Sequence, residues 1–234
     1  MCLGFRRSSP HAILIIGMSL LAAKGRAAED SLSPLRFAKQ IEAFARRDLE
    51  SPPEEGVIVF VGSSSIRRWD LAKSFGDLNA VNRGFGGSQI SDVLYYANEV
   101  VVKYKPKKVV FFCGGNDLNK GKPPRQVAAD FETFTSLLFK QLPETELIVL
   151  ALKPAPVRWS IVDKVRTTND LLRAKAKTDK RITFLDGSFN LLLDDGKIRE
   201  ELYVEDRLHL NDDGYKLWAD MLAPYLGLDK RDGE

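Results

Sequence analysis

The sequence is poor in the residues that build metal centres and disulfide frameworks. Its 234 residues include two cysteines and two histidines. Two cysteines cannot staple a disulfide scaffold, and no paired C-x-x-C stands ready to hold zinc. There are no internal repeats, no low-complexity tract and no Pro/Gly-rich linker within the main body of the chain. The balance of 44% apolar and 29% charged residues excludes a disordered or fibrous chain. The length suits one α/β domain of ordinary size, or at most two small ones.

An excess of either charge is also missing: 35 basic against 32 acidic residues leave a formal net of only +3. The N-terminus accounts for that excess. Arg6 and Arg7 precede an apolar run from Ala12 to Ala23, and Gly25-Arg26-Ala27 places small residues where a signal peptidase reads them. This is the pattern of a secretory signal peptide over residues 1–27. The run is shorter than the roughly 20 apolar residues that a membrane-spanning helix needs. Cys2 precedes it, so it is no lipobox cysteine. Cleavage after Ala27 would remove four of the basic residues and none of the acidic ones, leaving 31 against 32, a net of −1. It would also remove His11 and Cys2, so His209 and Cys113 would stand alone. A near-neutral chain carries no argument for nucleic acid or an anionic membrane as partner.

Five short apolar runs follow: Val57–Val61, Leu78–Val81, Val109–Cys113, Leu147–Ala151 and Ile182–Leu185. All but the second are nearly continuous, as in strands buried on both faces. Helical spacing fills the intervals. Ile90, Val93, Leu94, Ala97 and Val101 share one face, as do Val127, Phe131, Phe134 and Leu138. Ser160 and Asp163 resemble a capping box before Ile161, Val165, Thr168 and Leu172. Asn211, Asp212 and Asp213 fit the start of a last helix, and Pro34 to Leu49 reads as a leading one. Alternating strands and helices predict βαβ units in a parallel sheet, with the ligand site at the carboxyl ends of the strands.

Four segments after those runs bear chemistry. Gly62-Ser63-Ser64-Ser65 places a hydroxyl at a strand-to-helix junction, either as a nucleophile or as an N-cap. Asn82-Arg83-Gly84-Phe85-Gly86-Gly87-Ser88 offers a glycine turn with exposed backbone donors. It fails as a dinucleotide loop, because Gln89 stands where the third glycine belongs. Cys113-Gly114-Gly115-Asn116-Asp117 offers an amide donor suited to an oxyanion hole, or an ordinary Asn-Asp turn. In Asp206-Arg207-Leu208-His209 a carboxylate precedes an imidazole by three residues, a spacing that can fix the ring's tautomer.

Together these segments resemble the SGNH (GDSL-type) hydrolase superfamily, in particular its small esterase branch related to platelet-activating-factor acetylhydrolase. The resemblance covers roughly residues 56–225. It implies a three-layer α/β/α sandwich, flavodoxin-like, with a five-stranded parallel sheet. The expected organisation is a signal peptide over 1–27, a leading helix and linker over 28–55, and the hydrolase domain over 56–228. The resemblance makes Ser64 the nucleophile, His209 the general base and acid, and Asp206 the residue that orients it. The oxyanion hole falls to the backbone N–H of Ser64 and Gly87 and the side chain of Asn116. Ser63 replaces the acidic residue usual before the nucleophile, which leaves Ser65 as runner-up to Ser64. Lys153-Pro154-Ala155-Pro156-Val157-Arg158-Trp159 also resembles this branch; Arg158 and Trp159 either line the substrate mouth or belong to a rigid Pro-rich loop. The implied reaction is hydrolysis of an acyl ester through an acyl-enzyme, with no metal or cofactor. The expected substrate is a small-molecule or carbohydrate acyl ester, and the expected location secreted or periplasmic, with no membrane anchor left after cleavage. Lysophospholipase or thioesterase action would use the same site. An inactive carbohydrate-binding domain is the alternative of another class.

Overall fold

A computed structural model describes Met1 and residues 33–190 and 192–228. The expected signal peptide lies outside the described residues. The chain divides into two compact units, residues 1–39 and 40–234. In the first, Ser33 Oγ accepts the Leu35 N–H and opens a 3₁₀ turn, Pro34–Phe37. Helix α1 (Ala38–Glu50) follows directly.

The second unit holds the sheet. Strands β1 (Ile58–Gly62), β2 (Ala80–Gly84), β3 (Lys108–Phe112), β4 (Glu146–Leu150) and β5 (Ile182–Leu185) are parallel throughout, in the order β2-β1-β3-β4-β5. This is the flavodoxin-like order, in which the direction of winding reverses beside β1 and leaves a crevice at the strand ends. The helices between strands are α2 (Ser64–Arg67), α3 (Leu71–Phe75), α4 (Ile90–Tyr95), α5 (Ala97–Val100), α6 (Gly115–Asn119), α7 (Pro124–Gln141) and α8 (Val162–Ala176). After β5 come α9 (Gly187–Asn190), a small antiparallel pair, β6 (Leu193–Asp194) with β7 (Lys197–Ile198), and α10 (Asp212–Leu226).

Strand β1 is buried at every position, which is why it reads as an unbroken apolar run. The second run is displaced: the strand is Ala80–Gly84, not Leu78–Val81. This edge strand tolerates polar residues because each finds an internal partner. Asn82 donates to the carbonyls of Ile66 and Trp69 at 2.6 and 3.0 Å. The Arg83 guanidinium is held by Asp48 and donates to the Tyr104 hydroxyl at 2.6 Å.

Two helix boundaries also differ from expectation. The apolar stripe from Ile90 breaks at Tyr96, where φ −98° and ψ +17° end α4 before α5 begins. The Ser160–Asp163 capping box is not made: α8 begins at Val162, Ile161 sits at its N-cap, and Asp163 pairs instead with Arg166 at 2.9 Å. Asn211 does cap α10, its Oδ1 accepting the Gly214 N–H at 3.0 Å.

An aromatic cluster fixes α10 against the sheet. Trp218 is fully buried against Phe112 and Trp69, with ring centroids 5.0 and 5.7 Å away. Its indole N–H donates to the Ser188 carbonyl at 3.1 Å, so the polar edge of the ring is satisfied. One turn earlier, the Tyr215 hydroxyl donates to the Ser65 carbonyl at 2.8 Å. The last helix is thereby tied to the turn that carries the serines.

Candidate active site

Gly62 ends β1 with φ +146°, and a Cβ there would lie 2.0 Å from the Phe112 carbonyl oxygen. Only glycine lets the chain pass that closely under β3 before turning into α2. Ser64, the first residue of α2, therefore stands at the carboxyl edge of the sheet. Its Oγ lies 2.7 Å from His209 Nε2. The other ring nitrogen, Nδ1, lies 2.6 Å from Asp206 Oδ2. A carboxylate can only accept, so Nδ1 carries the hydrogen and Nε2 accepts from the serine hydroxyl. Ser65 is buried beside Ser64, but the imidazole bond belongs to Ser64.

Asp206 is itself held rigidly. Its Oδ1 accepts the backbone N–H groups of Leu208 and His209, both at 2.9 Å. Partial burial pushes its pKa upward, but the bonds from His209 and the two amides outweigh this and hold it well below the ordinary carboxylate range. For His209, burial lowers the pKa below the ordinary 6.5. The Asp206 hydrogen bond opposes that shift, while the charges of Arg68 and Lys153 add to it. The ring is thus kept neutral, as a base must be. The acid limb of kcat/KM is expected to have its midpoint below pH 6.5, with activity rising as His209 loses its proton. Arg68, 3.5 Å from Asp206 Oδ2, is partly exposed. Arg68→Gln should move that limb to higher pH at low ionic strength, and less in salt. A pH–rate profile of parent and variant with an unbranched test ester checks both; an acid limb above pH 7 in the parent would contradict the first expectation.

Of the donors expected to hold an oxyanion, Ser64 and Asn116 line one cleft at the carboxyl edge of the sheet, whereas Gly87, in the turn after β2, is not among its lining residues. None of the hydrogen bonds among the described residues occupies the backbone N–H of Ser64 or of Gly87. Gly87 adopts φ +86°, a left-handed conformation that glycine takes without strain. Asn116 Nδ2 donates to the Ser88 carbonyl at 3.0 Å, joining its loop to the glycine turn. The neighbouring Asp117 is fully buried and tightens that junction. It accepts the Ile90 N–H at 3.2 Å and Lys122 Nζ at 2.7 Å.

The family whose sequence pattern matches residues 55–217 is the GDSL-like lipase/acylhydrolase family. The chain belongs to that family. Platelet-activating factor acetylhydrolase IB subunit alpha1 of Bos taurus is 30% identical over 177 residues, covering 71% of this chain and 73% of the relative. Among solved structures, a GDSL-like lipase from Bacteroides thetaiotaomicron superposes with a TM-score of 0.68 at 19% identity, covering 80% of this chain and 97% of its own. An acetylxylan esterase of Geobacillus stearothermophilus superposes with a TM-score of 0.61 at 16% identity, covering 76% and 97%. The two structures share the fold. As a GDSL-like acylhydrolase the protein is a carboxylic ester hydrolase.

A cleft opens beside Ser64 in this acylhydrolase, with about 530 Å³ of space including its mouth. Its wall is largely apolar: Phe112, Leu152, Ala155, Ile161, Val162 and Val165. Ser63, Ser64, Ser65, Asn116, Lys153 and Arg158 supply polar side chains. Of the two residues expected at the mouth, Arg158 lines the cleft. Trp159 is not among the lining residues; it is exposed on the 3₁₀ segment Pro156–Ile161.

Lys153 escaped the residue-by-residue reading of the sequence. It is buried in the cleft wall, donates from Nζ to the Leu208 carbonyl and lies 4.8 Å from the Tyr203 ring centroid. Burial, followed by the charge of Arg158, lowers its pKa to about 7. The signal was present: Lys153 follows β4 at the sheet edge where the other site residues lie.

Proposed function

We propose that the protein is an exported serine esterase that removes short acyl groups, acetyl on carbohydrate above all. The observation that carries the reading is the unbroken line from Asp206 through His209 to Ser64, with bonds of 2.6 and 2.7 Å. Ser64 Oγ attacks the ester carbonyl while His209 Nε2 takes its proton. The tetrahedral oxygen accepts from Ser64 N–H, Gly87 N–H and the free N–H of Asn116. Collapse expels the alcohol, protonated by His209. The imidazole then activates water, which attacks the acyl-enzyme and releases the acid.

The preference for a short acyl group rests on the compact chain, which inserts no lid-length segment; the largely apolar wall of the cleft suits an acyl group. The carbohydrate reading draws on the acetylxylan esterase among the structures that share the fold. Export rests on the N-terminal pattern of residues 1–27. The test is a panel of acetylated xylan, p-nitrophenyl acetate and long-chain p-nitrophenyl esters, acyl-CoA and lysophospholipid. The acetyl esters are expected to be turned over fastest, by a protein that begins at Ala28 when recovered from outside the cytoplasm of its own host. Faster hydrolysis of long-chain esters or lysophospholipid would establish lysophospholipase action at the same site, and of acyl-CoA thioesterase action. An inactive binding domain would hydrolyse none.

A further inference from the structure

The side-chain amide of Asn116 has two N–H groups and one oxygen. One N–H donates to the Ser88 carbonyl at 3.0 Å. The oxygen accepts from Arg158 NH1 at 3.1 Å. The same NH1 lies 3.3 Å from the Gly115 carbonyl, so the guanidinium grips Asn116 by side chain and by the preceding peptide. Arg158 is half-buried, and among the described residues no carboxylate pairs with it. A cation placed in a cleft without an acidic partner calls for an explanation.

The two contacts leave one orientation for the amide. A guanidinium has no acceptor, so the atom facing Arg158 is Oδ1; a carbonyl has no donor, so the atom facing Ser88 is Nδ2. Flipping the amide would set nitrogen against the cation and oxygen against the carbonyl. The second N–H is the group left over, and a positive charge on the amide oxygen polarises it toward stronger donation.

We infer that Arg158 is a positioning residue: it holds Asn116 so that its remaining N–H serves the oxyanion, acting through Asn116 rather than on the substrate. This rests on the reading of Asn116 as an oxyanion donor given above. Transition-state stabilisation depends on donors preorganised where charge develops, and a small misplacement lowers the rate steeply.

The experiment is a double-mutant cycle read as kcat and KM separately, with p-nitrophenyl acetate as the ester. Asn116→Ala alone should lower kcat by about 10²–10³-fold. Arg158→Ala alone should lower kcat by up to about 10²-fold with KM nearly unchanged. Added to Asn116→Ala, it should cost no more than about twofold further, because the residue through which it acts is gone. Arg158→Lys, which keeps a cationic donor, should recover part of kcat. Equal losses from Arg158→Ala in both backgrounds would overturn the inference, as would a raised KM with kcat unchanged. Full activity in Asn116→Ala would remove the oxyanion reading itself, a different failure visible without any Arg158 variant. Melting temperatures verify that each variant is folded. If Arg158→Ala is not, Arg158→Lys and Arg158→Gln complete the cycle on the same criteria.

Discussion

Ser64→Ala is expected to lower kcat by about 10⁶-fold while leaving the protein folded, and Ser65→Ala to keep most of the activity. The two hydroxyls are adjacent in the chain, yet their surroundings differ. Ser64 Oγ lies 2.7 Å from His209 Nε2, with a backbone N–H that no internal bond occupies. Ser65 is buried in the turn, and its carbonyl accepts from Tyr215 at 2.8 Å. Removing the Ser64 hydroxyl removes the nucleophile and spares the oxyanion donors, so a small residual rate above uncatalysed hydrolysis should survive. Steady-state kinetics with p-nitrophenyl acetate measures both variants. A Ser65→Ala enzyme as inactive as Ser64→Ala, or an active Ser64→Ala, would assign the attack to the wrong serine.

His209→Ala should be as damaging as loss of the serine, again about 10⁶-fold in kcat. Without Nε2 nothing accepts the serine proton, and Asp206 is left with no ring to orient. The double variant Ser64→Ala/His209→Ala should be no worse than either single one, because the residues act as a unit. The acid limb of the pH profile should disappear with the imidazole, since the group titrating there is gone. Losses that multiply in the double variant would mean that serine and histidine act independently, against the geometry.

Much of this site is legible in the sequence. The fold follows from alternation of buried strands and helices, and the site from what stands after each strand. Asp206 and His209 are close in sequence, so their pairing is local and readable from spacing alone. The Ser64–His209 contact joins residues 145 positions apart and needed the family resemblance to anticipate. The second strand was misplaced because Asn82 and Arg83 look like loop residues until their partners, Ile66, Trp69, Asp48 and Tyr104, are seen. Arg158 was legible only as a residue of the mouth. That it touches Asn116 depends on how the segment after β4 folds over the segment after β3, which no periodicity reports. Lys153 was hidden by its charge, because lysine is rarely buried.

The bond from Tyr215 to the Ser65 carbonyl has a bearing on when the enzyme becomes an enzyme. Helix α10 begins three residues after His209, and its Tyr215 bonds the turn that carries Ser64, a turn that lies some 150 positions earlier in the chain. A growing chain thus displays its serine long before it owns a base or a clamp. The line from Asp206 through His209 to Ser64 therefore cannot close until the segment carrying His209 and α10 has been made.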